Sequence, residues 1–472
     1  MTQDLSTVLQ KRSDLEDQYI DTQNATDEIV RLAVLKYDRI DVLMSIVMGY
    51  TVAPCHLSML IHQTSQSKTL TLAPRGIGKS VCLTVVRVIY EVLRNPDIRI
   101  LIVSNTQLQA EIFLREIKEH LQGNETLVRI FGKQIGAKWD NKEIMVNARK
   151  VFAKESTVSC CGVGGAIIGR HYDLIIGDDL VDEENSSTER QREKFKIWYY
   201  KVLDPTLEPD GRFFVHGTRY NPSDHYGHLM LYDEDYKSRI YPAINSNGES
   251  LWPEKMPITW LTKKRKAMGT PIFNTQYQND TTLMVGKIFK YDWFRYYEHL
   301  PEKLILFQGV DLAISEKDKS CYFVIATIGK DEFGRIYLID LYKDRLSFLQ
   351  QTFKIIEKAK QFQPRRVFVE ANAYQKAQSQ LLQVVSMVPV KAVITVKDKT
   401  SRAWTLSSKF ENGNIYFPKW SAHTTGDAIN DLRDNLIKFP DCDYDDDFDA
   451  LDIAISNSFK KVNKDRRNFG LL

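Results

Sequence analysis

The sequence predicts an α/β protein of two domains, each built on a sheet whose strands end at the residues that carry the chemistry. Three observations predict it. An apolar, β-prone run at Thr69–Ala73 enters a glycine-containing turn and then a helical pattern. Strand and helix patterns alternate after it, with Arg99–Ser104 as a strand and Leu108–Leu121 as an amphipathic helix. That succession builds a parallel sheet with its ligand at the carboxyl ends of the strands. Past residue 300 the pattern changes to antiparallel-style strands that stop at acidic residues.

The 472 residues suffice for two domains of ordinary size, each with its own core. The 43% hydrophobic and 26% charged residues describe a globular, soluble chain rather than a disordered one. A net charge of +3, from 64 basic and 61 acidic residues, gives no bulk basicity, so nucleic-acid binding would need local patches. The six cysteines are scattered, with no C-x-x-C pair, which predicts a reducing compartment and no structural zinc. The polar, acidic start M-T-Q-D-L-S is unlike a signal peptide, and no apolar run approaches a membrane span, so no membrane role is expected.

Residues 1–50 read as helical, with apolar positions three and four apart at Ile29-Val30, Leu32-Ala33, Leu43 and Ile46-Val47. Pro54-Cys55-His56-Leu57 leads into the loop, where nucleotide-driven motors place an adenine-contacting segment; a structural helix fits His56 equally. The stretch A-P-R-G-I-G-K-S (73–80) then has the layout of a phosphate-binding loop. Turn amides at Gly76 and Gly78 face phosphates, Lys79 reaches their outer oxygens, and the Ser80 hydroxyl ligates magnesium. Ala73 stands where the pattern has its first glycine, which is compatible only with a backbone that needs no positive φ. Val81–Leu93 is the helix that follows.

A glycine-rich stretch (Cys161–Gly165) and Gly169-Arg170-His171 lead to the strand Tyr172–Gly177, which ends in Asp178-Asp179. The first carboxylate at such a strand end suits magnesium, and a following acid polarises the attacking water. Asp179 and, a turn later, Glu183 and Glu184 compete for that second role. Another strand, Gly211–His216, ends in Gly217-Thr218-Arg219, which reads either as a γ-phosphate sensor or as a simple strand–turn connection. Residues 270–293 are polar, rich in turn formers and without a period, and are taken as the join between domains. The cluster Lys263-Lys264-Arg265-Lys266 is a solvated face or a DNA contact.

Beyond the join, Leu304–Val310 is a strand stopping at Asp311. Ser320–Ile328 and Arg335–Leu341 follow as strands, and Leu346–Gln361 as a helix. Arg366–Val369 is a strand stopping at Glu370, and Asn414–Phe417 is a further strand. The acidic run Asp441–Asp449 enters a helix at Ala450–Phe459. A β-β-β-α-β core would gather these carboxylates around two divalent cations, which activate water and stabilise the leaving oxygen in phosphodiester cleavage. Helix capping explains the acidic run taken alone; Asp311 and Glu370 at strand ends have no such structural need.

The order of these motifs resembles the large terminase subunit of tailed bacteriophages. The resemblance runs from about Pro54 to Phe459. Its elements are A-P-R-G-I-G-K-S, L-I-I-G-D-D, G-T-R, Gln276-Tyr277-Gln278-Asn279 with Gly286-Lys287-Ile288-Phe289, Gly309-Val310-Asp311-Leu312-Ala313, Val369-Glu370-Ala371-Asn372, and D-D-D-F-D-A. It implies an additional-strand P-loop ATPase over residues 1–280, a ribonuclease H-like endonuclease over 285–460, and a basic tail over 461–472. The implied activity is ATP-driven translocation of double-stranded DNA into a procapsid, with independent metal-dependent cutting of concatemeric DNA. The implied cofactors are ATP with Mg²⁺ at the first site and two divalent cations, Mg²⁺ or Mn²⁺, at the second.

Residue by residue, the resemblance puts Arg75, Gly76, Gly78, Lys79, Ser80, Asp178 and Thr218 at the nucleotide, with Gly217 and Thr218 on the coupling motif. Asp179 and Glu183 compete as base. Asp311, Glu370 and Asp445 or Asp446 are the nuclease acids. Arg75 is a γ-phosphate contact, and Arg170 is a finger toward a neighbouring subunit or an ordinary ion-pair residue. Implied partners are double-stranded DNA, the portal protein, a small terminase subunit and further copies in a ring, usually a pentamer. The implied location is the cytoplasm of the infected bacterium and transiently the portal vertex, not the mature virion. The sequence departs from the family pattern at Ala73, at Asp179 where a glutamate is usual, and at Tyr444 where many relatives have histidine. Two other readings use the same residues: a helicase-like ATPase whose second domain clamps nucleic acid, and a non-catalytic scaffold.

Overall fold

The structure is a computed structural model that describes residues 23–284, 287–312, 322–370, 388–395, 398–419, 426–440, 442 and 445–459. It divides into two compact units. The first comprises the described residues up to Thr262 together with Asn274–Thr282; the second comprises Lys263–Phe273 and the described residues from Leu283 onward. The stretch expected to be a plain join therefore carries structure that belongs to both units. It forms short helical turns at Thr270–Phe273 and Asn274–Gln278, whose side chains Pro271, Phe273, Thr275 and Tyr277 are buried. No helix among the described residues is long and apolar enough to cross a membrane. The expected basic tail and Tyr444 lie outside the described residues.

The first unit is organised on a sheet of eight strands. These are β1 (Lys68–Leu72), β2 (Ile100–Ser104), β3 (Ile135–Trp139), β4 (Glu143–Val146), β5 (Val158–Gly162), β6 (Tyr172–Asp178), β7 (Leu207–Gly217) and β8 (Tyr236–Ile240). Their order is β3-β4-β5-β2-β6-β7-β1-β8. All pairings are parallel except β3 with β4 and β4 with β5. Strand β2 is buried throughout and β6 nearly so, as expected of parallel strands covered on both faces. Strand β7 lies between β1, which feeds the Ala73–Ser80 loop, and β6, which ends in Asp178. This inserted strand is the additional-strand arrangement. The helix expected over Val81–Leu93 opens as a wider π-helical segment, Val81–Val86, and continues as α-helix Arg87–Arg94.

The second unit carries a sheet of seven strands. They are β9 (Arg295–Tyr297), β10 (Ile305–Asp311), β11 (Phe323–Lys330), β12 (Ile336–Asp344), β13 (Arg366–Glu370), β14 (Val390–Val393) and β15 (Ile415–Pro418), in the order β14-β13-β10-β11-β12-β15-β9. Strands β10, β11 and β12 are antiparallel neighbours, and β13 and β14 add in parallel on the other side of β10. That is the ribonuclease H-like order. The last helix begins at Asp446 rather than at Ala450, so Asp446, Asp447 and Asp449 lie within its first turns. Carboxylates there are favoured by the positive end of the helix dipole. The helix reaches β10 at Gly309, where an added Cβ would lie 2.2 Å from the Ala450 carbonyl oxygen and 2.4 Å from the Ala454 nitrogen. Only glycine permits that approach. Val324, Leu338, Phe368, Phe448, Leu451 and Ile455 belong to the core on this side.

Candidate active sites

The first site is assembled at the carboxyl ends of β1, β6 and β7. Gly76 and Gly78 take φ of +77° and +92°, a region that excludes most side chains, whereas Ala73 is not among the residues with positive φ. Alanine therefore meets the local backbone requirement. Its N–H donates to the Gly217 carbonyl at 3.1 Å, joining the loop to the end of β7. His56 belongs to the helix Pro54–Gln63 and braces the loop from below. Its Nε2 lies 2.8 Å from the Ile77 carbonyl, and its Nδ1 accepts from the Ala53 N–H at 3.0 Å. Both ring nitrogens are thus engaged, which is the structural reading of that residue.

Ser80 Oγ donates to Asp178 Oδ1 at 3.0 Å, bringing together the two residues expected to serve magnesium. Lys79 Nζ is 2.9 Å from Asp179 Oδ2, while Asp179 Oδ1 is buried with no hydrogen-bond partner among the described residues. Asp179 is a non-glycine residue with φ of +46°, and its N–H donates to the His216 carbonyl at 2.9 Å. Burial acts to raise the Asp178 carboxyl, but His216, Lys79 and Thr84 outweigh it and hold the pKa below the usual carboxylate value. An ionised Asp178 and an open Asp179 oxygen beside a lysine are suited to a phosphate-bound cation and a polar substrate.

Thr218 donates its hydroxyl to the Ala73 carbonyl at 3.3 Å, so the Gly217-Thr218 turn touches the Ala73–Ser80 loop directly. Gly217 is closed on one side by Tyr226: an added Cβ would lie 2.3 Å from its hydroxyl. The same hydroxyl accepts from the Val181 N–H at 3.2 Å. Arg75 hydrogen-bonds the Tyr220 hydroxyl and lies 5.4 Å from that ring's centroid. Glu183 begins the short helix Glu183–Ser186, capped by Asp182, which accepts from Asn105 Nδ2 at 3.1 Å. Arg170 is committed to an ion pair with Glu143, which also holds Lys138 at 2.6 Å. Of its two readings, the ion-pair one describes this structure. Sequence reasoning missed His216, Thr84, Tyr220 and Tyr226, because nothing in their local spacing announces a tertiary contact.

The second site lies where β10 and β13 end beside the last helix. Val310 pairs with Val369, so Asp311 and Glu370 are the next residues on adjacent parallel strands. The Asp311 carboxyl is pushed well above the usual range, by burial first and then by the charges of Asp449, Asp446 and Glu370, against Lys399. Asp446 Oδ2 accepts from the Tyr322 N–H at 3.0 Å. Its own carboxyl is raised, chiefly by burial. Asp445, Asp447 and Asp449 are held by side chains of other elements. Asp445 pairs with Lys399 at 2.7 Å, and Asp447 with Lys343 at 2.7 Å and Asn435 Nδ2 at 3.1 Å. Asp449 pairs with Lys399 at 2.5 Å and Arg402 at 2.6 Å.

Glu370, Asp446 and Asp449 thus all act on Asp311, while Lys399 holds both Asp445 and Asp449. Asp449 was not singled out from the sequence, although it lies three residues after Asp446 and so on the same helix face. Carboxylates whose charges act on the buried Asp311 supply oxygen, the donor that hard divalent cations prefer. As the side chains stand, no group of three or more His, Cys, Asp or Glu among the described residues is gathered tightly enough to hold a metal ion.

Residues 308–458 match the family described as the terminase RNaseH-like domain. The large terminase subunit of Enterobacteria phage T3 is 28% identical over 214 residues, 43% of this chain and 33% of that protein, so the match spans a third of the relative's length. Among solved structures, the large terminase of a thermophilic bacteriophage superposes with a TM-score of 0.49 at 10% identity, covering 90% of this chain and 97% of that one. The large terminase of bacteriophage HK97 gives 0.36 at 10% identity, covering 89% and 99%. The large terminase nuclease of thermophilic phage G20c with bound cobalt gives 0.29 at 12% identity, covering 36% and 97%. With the family match over the second unit and the sequence likeness to the T3 protein, this chain is a relative of the phage large terminase subunits.

Proposed function

We propose that this chain is the motor subunit of a phage genome-packaging machine. Its first unit hydrolyses ATP to drive double-stranded DNA into a procapsid, and its second unit cuts the concatemer. The observation that carries the reading is that one chain holds two separate acid-centred sites. One is Lys79, Ser80 and Asp178 on a parallel sheet, and the other is Asp311 among Glu370, Asp446 and Asp449 in a terminase RNaseH-like domain.

At the first site, Lys79 with Gly76 and Gly78 holds the nucleotide phosphates, and Ser80 and Asp178 hold magnesium. Bound magnesium supplies charge neutralisation at the phosphates. Thr218 reports the state of the loop to β7, and Arg75, which bonds the Tyr220 hydroxyl, is the contact for the outer phosphate. Asp179 is the acid nearest Lys79 and orients the attacking water through its unpartnered oxygen; Glu183, a turn further along, is the other candidate.

At the second site, Asp311, Glu370 and Asp446 are ligands for one or two divalent cations, with Asp445 or Asp449 completing the set. Bound metal supplies water activation and leaving-group stabilisation. Asp311 anchors the set from the strand end, and Lys399 and Arg402 hold Asp449 in position. The partners in this reading are double-stranded DNA, the portal, a small terminase subunit and further copies in a ring of the pentameric kind. The place of action is the infected bacterial cytoplasm and the portal vertex, not the finished virion.

The test pairs two variants across two assays. Lys79→Ala loses ATP hydrolysis by about 100-fold or more and still cuts plasmid in Mn²⁺ or Mg²⁺, while Asp311→Ala does the reverse. Cutting that survives in Asp311→Ala, or vanishes in a folded Lys79→Ala protein, defeats the two-site reading.

A further inference from the structure

We infer that His216 is a positioning residue of the nucleotide site. Its imidazole, together with the Thr84 hydroxyl, fixes the Asp178 carboxylate and ties it to the strand that ends in Gly217-Thr218. The inference rests on the ATP-hydrolysis reading above and adds to it a residue that no phosphate-loop pattern contains.

The geometry begins with register. His216 is the Cα partner of Asp178 across β6 and β7, and of Thr71 across β7 and β1. It therefore occupies the inserted central strand, level with the acid. Its Nε2 is 3.2 Å from Asp178 Oδ2 and 3.0 Å from Thr84 Oγ1. Thr84 Oγ1 donates to the same Asp178 oxygen at 2.7 Å, and Ser80 Oγ donates to the other at 3.0 Å. Since the Thr84 proton is used on Asp178, the neighbouring Nε2 carries a proton and donates; both of its neighbours are acceptors. Each Asp178 oxygen is thus held, one by the loop and one by the Thr84–His216 pair.

The backbone of the same residue extends this hold. The His216 carbonyl accepts the N–H of Asp179, the residue held at positive φ and paired with Lys79. The following residue, Gly217, accepts the Ala73 N–H, and Thr218 donates to the Ala73 carbonyl. One residue therefore touches both acids, and its two successors touch the phosphate loop. A ring serving only to fill space would not be expected to leave a buried nitrogen open, yet His216 Nδ1 is buried without a partner among the described residues. An apolar side chain fills that space without an open nitrogen. The histidine is explained by what its Nε2 does.

The test uses the full chain with three substitutions. His216→Phe removes the donor and keeps the ring, His216→Gln restores an N–H at a similar reach, and Thr84→Val removes the hydroxyl at constant shape. Steady-state ATPase separates kcat from KM. Binding of Mn²⁺ with a non-hydrolysed ATP analogue, read by electron paramagnetic resonance, reports the metal without turnover. Thermal melting checks the fold.

Orienting groups behind metal ligands are worth about 10- to 100-fold in metal affinity or activity. The expected result is a loss of that size in kcat and in Mn²⁺ affinity for His216→Phe and Thr84→Val, with KM for ATP within about twofold and partial recovery in His216→Gln. Wild-type values in folded His216→Phe and Thr84→Val overturn the inference. So does a His216→Gln protein no better than His216→Phe. Should His216→Phe fail to fold, Thr84→Val and His216→Gln carry the same comparison. A folded wild-type protein with no ATPase activity, whose Lys79→Ala variant binds nucleotide equally well, overturns the underlying reading instead.

Discussion

Replacing Gly309 by alanine is the sharpest way to ask whether helix packing places the acids of the second site. The added Cβ would lie 2.2 Å from the Ala450 carbonyl oxygen, 2.4 Å from the Ala454 nitrogen and 2.9 Å from the Ala454 Cβ. The first two are backbone atoms of the last helix, so no side chain can rotate away to make room. Ordinary carbon contacts begin near 3.5 Å, and the helix must retreat from β10 by roughly 1 Å. Overpacking of this kind costs about 1–3 kcal/mol, which lowers the melting temperature of a domain this size by roughly 2–12 °C.

The functional loss is expected to exceed the stability loss, because the same helix bears Asp446 and Asp449 beside Asp311. A misplacement near 1 Å costs about 100-fold in rate. Plasmid cleavage and melting report the second unit. ATP hydrolysis serves as an internal control, because Lys79, Ser80 and Asp178 lie in the first unit. A Gly309→Ala protein that cuts DNA at the wild-type rate and melts at the wild-type temperature refutes the reasoning.

Other expectations follow from buried groups. Asp311→Asn abolishes cutting yet stabilises the protein in EDTA by about 1–2 kcal/mol, since it removes a crowded buried carboxylate. The sign follows from a folded pKa raised above the unfolded one. The folded state then loses stability as pH climbs past the unfolded value near 4, so the gain from asparagine is present at neutral pH and fades in acid. Melting in EDTA at neutral pH tests it, and a lower melting temperature for the variant counts against the reading. His225 is buried with both ring nitrogens unpartnered among the described residues, and its pKa is pushed down to about 3 by burial first and then by His228 and Lys196. Its folded pKa is below the unfolded one, so the unfolded chain gains a proton that the folded ring refuses. Stability should fall by about 2 kcal/mol between neutral pH and pH 5 from this group alone. His225→Phe is expected to remove that slope; equal slopes in melts at pH 5 and 7.5 would show that His225 is not its source.

The local pattern alone determined a good deal. The glycine turn ahead of Lys79, the paired acids at the end of β6, the glycine-threonine end of β7, and strand ends at Asp311 and Glu370 were all legible as local structure. Each rests on a short-range requirement: a positive φ at Gly76 and Gly78, or a period of two that turns a strand inward. The inserted position of β7 was implied only by resemblance, since strand order depends on contacts between residues far apart in the chain.

Tertiary structure decided which members of each cluster meet. In the run Asp445–Asp449, periodicity cannot tell a carboxylate facing Asp311 from one held by Lys399 or Lys343, because the cations come from other elements. His216 and Thr84 reach Asp178 only because β7 inserts beside β6 and the helical segment Val81–Val86 packs against them. The stretch 270–278 took up two helical turns for a similar reason: the burial of Phe273 and Tyr277, not their sequence period, gives them structure. The sequence set which residues could do the chemistry, and long-range packing chose among them, because a hydrogen bond or ion pair depends on distances that the chain's local order does not contain.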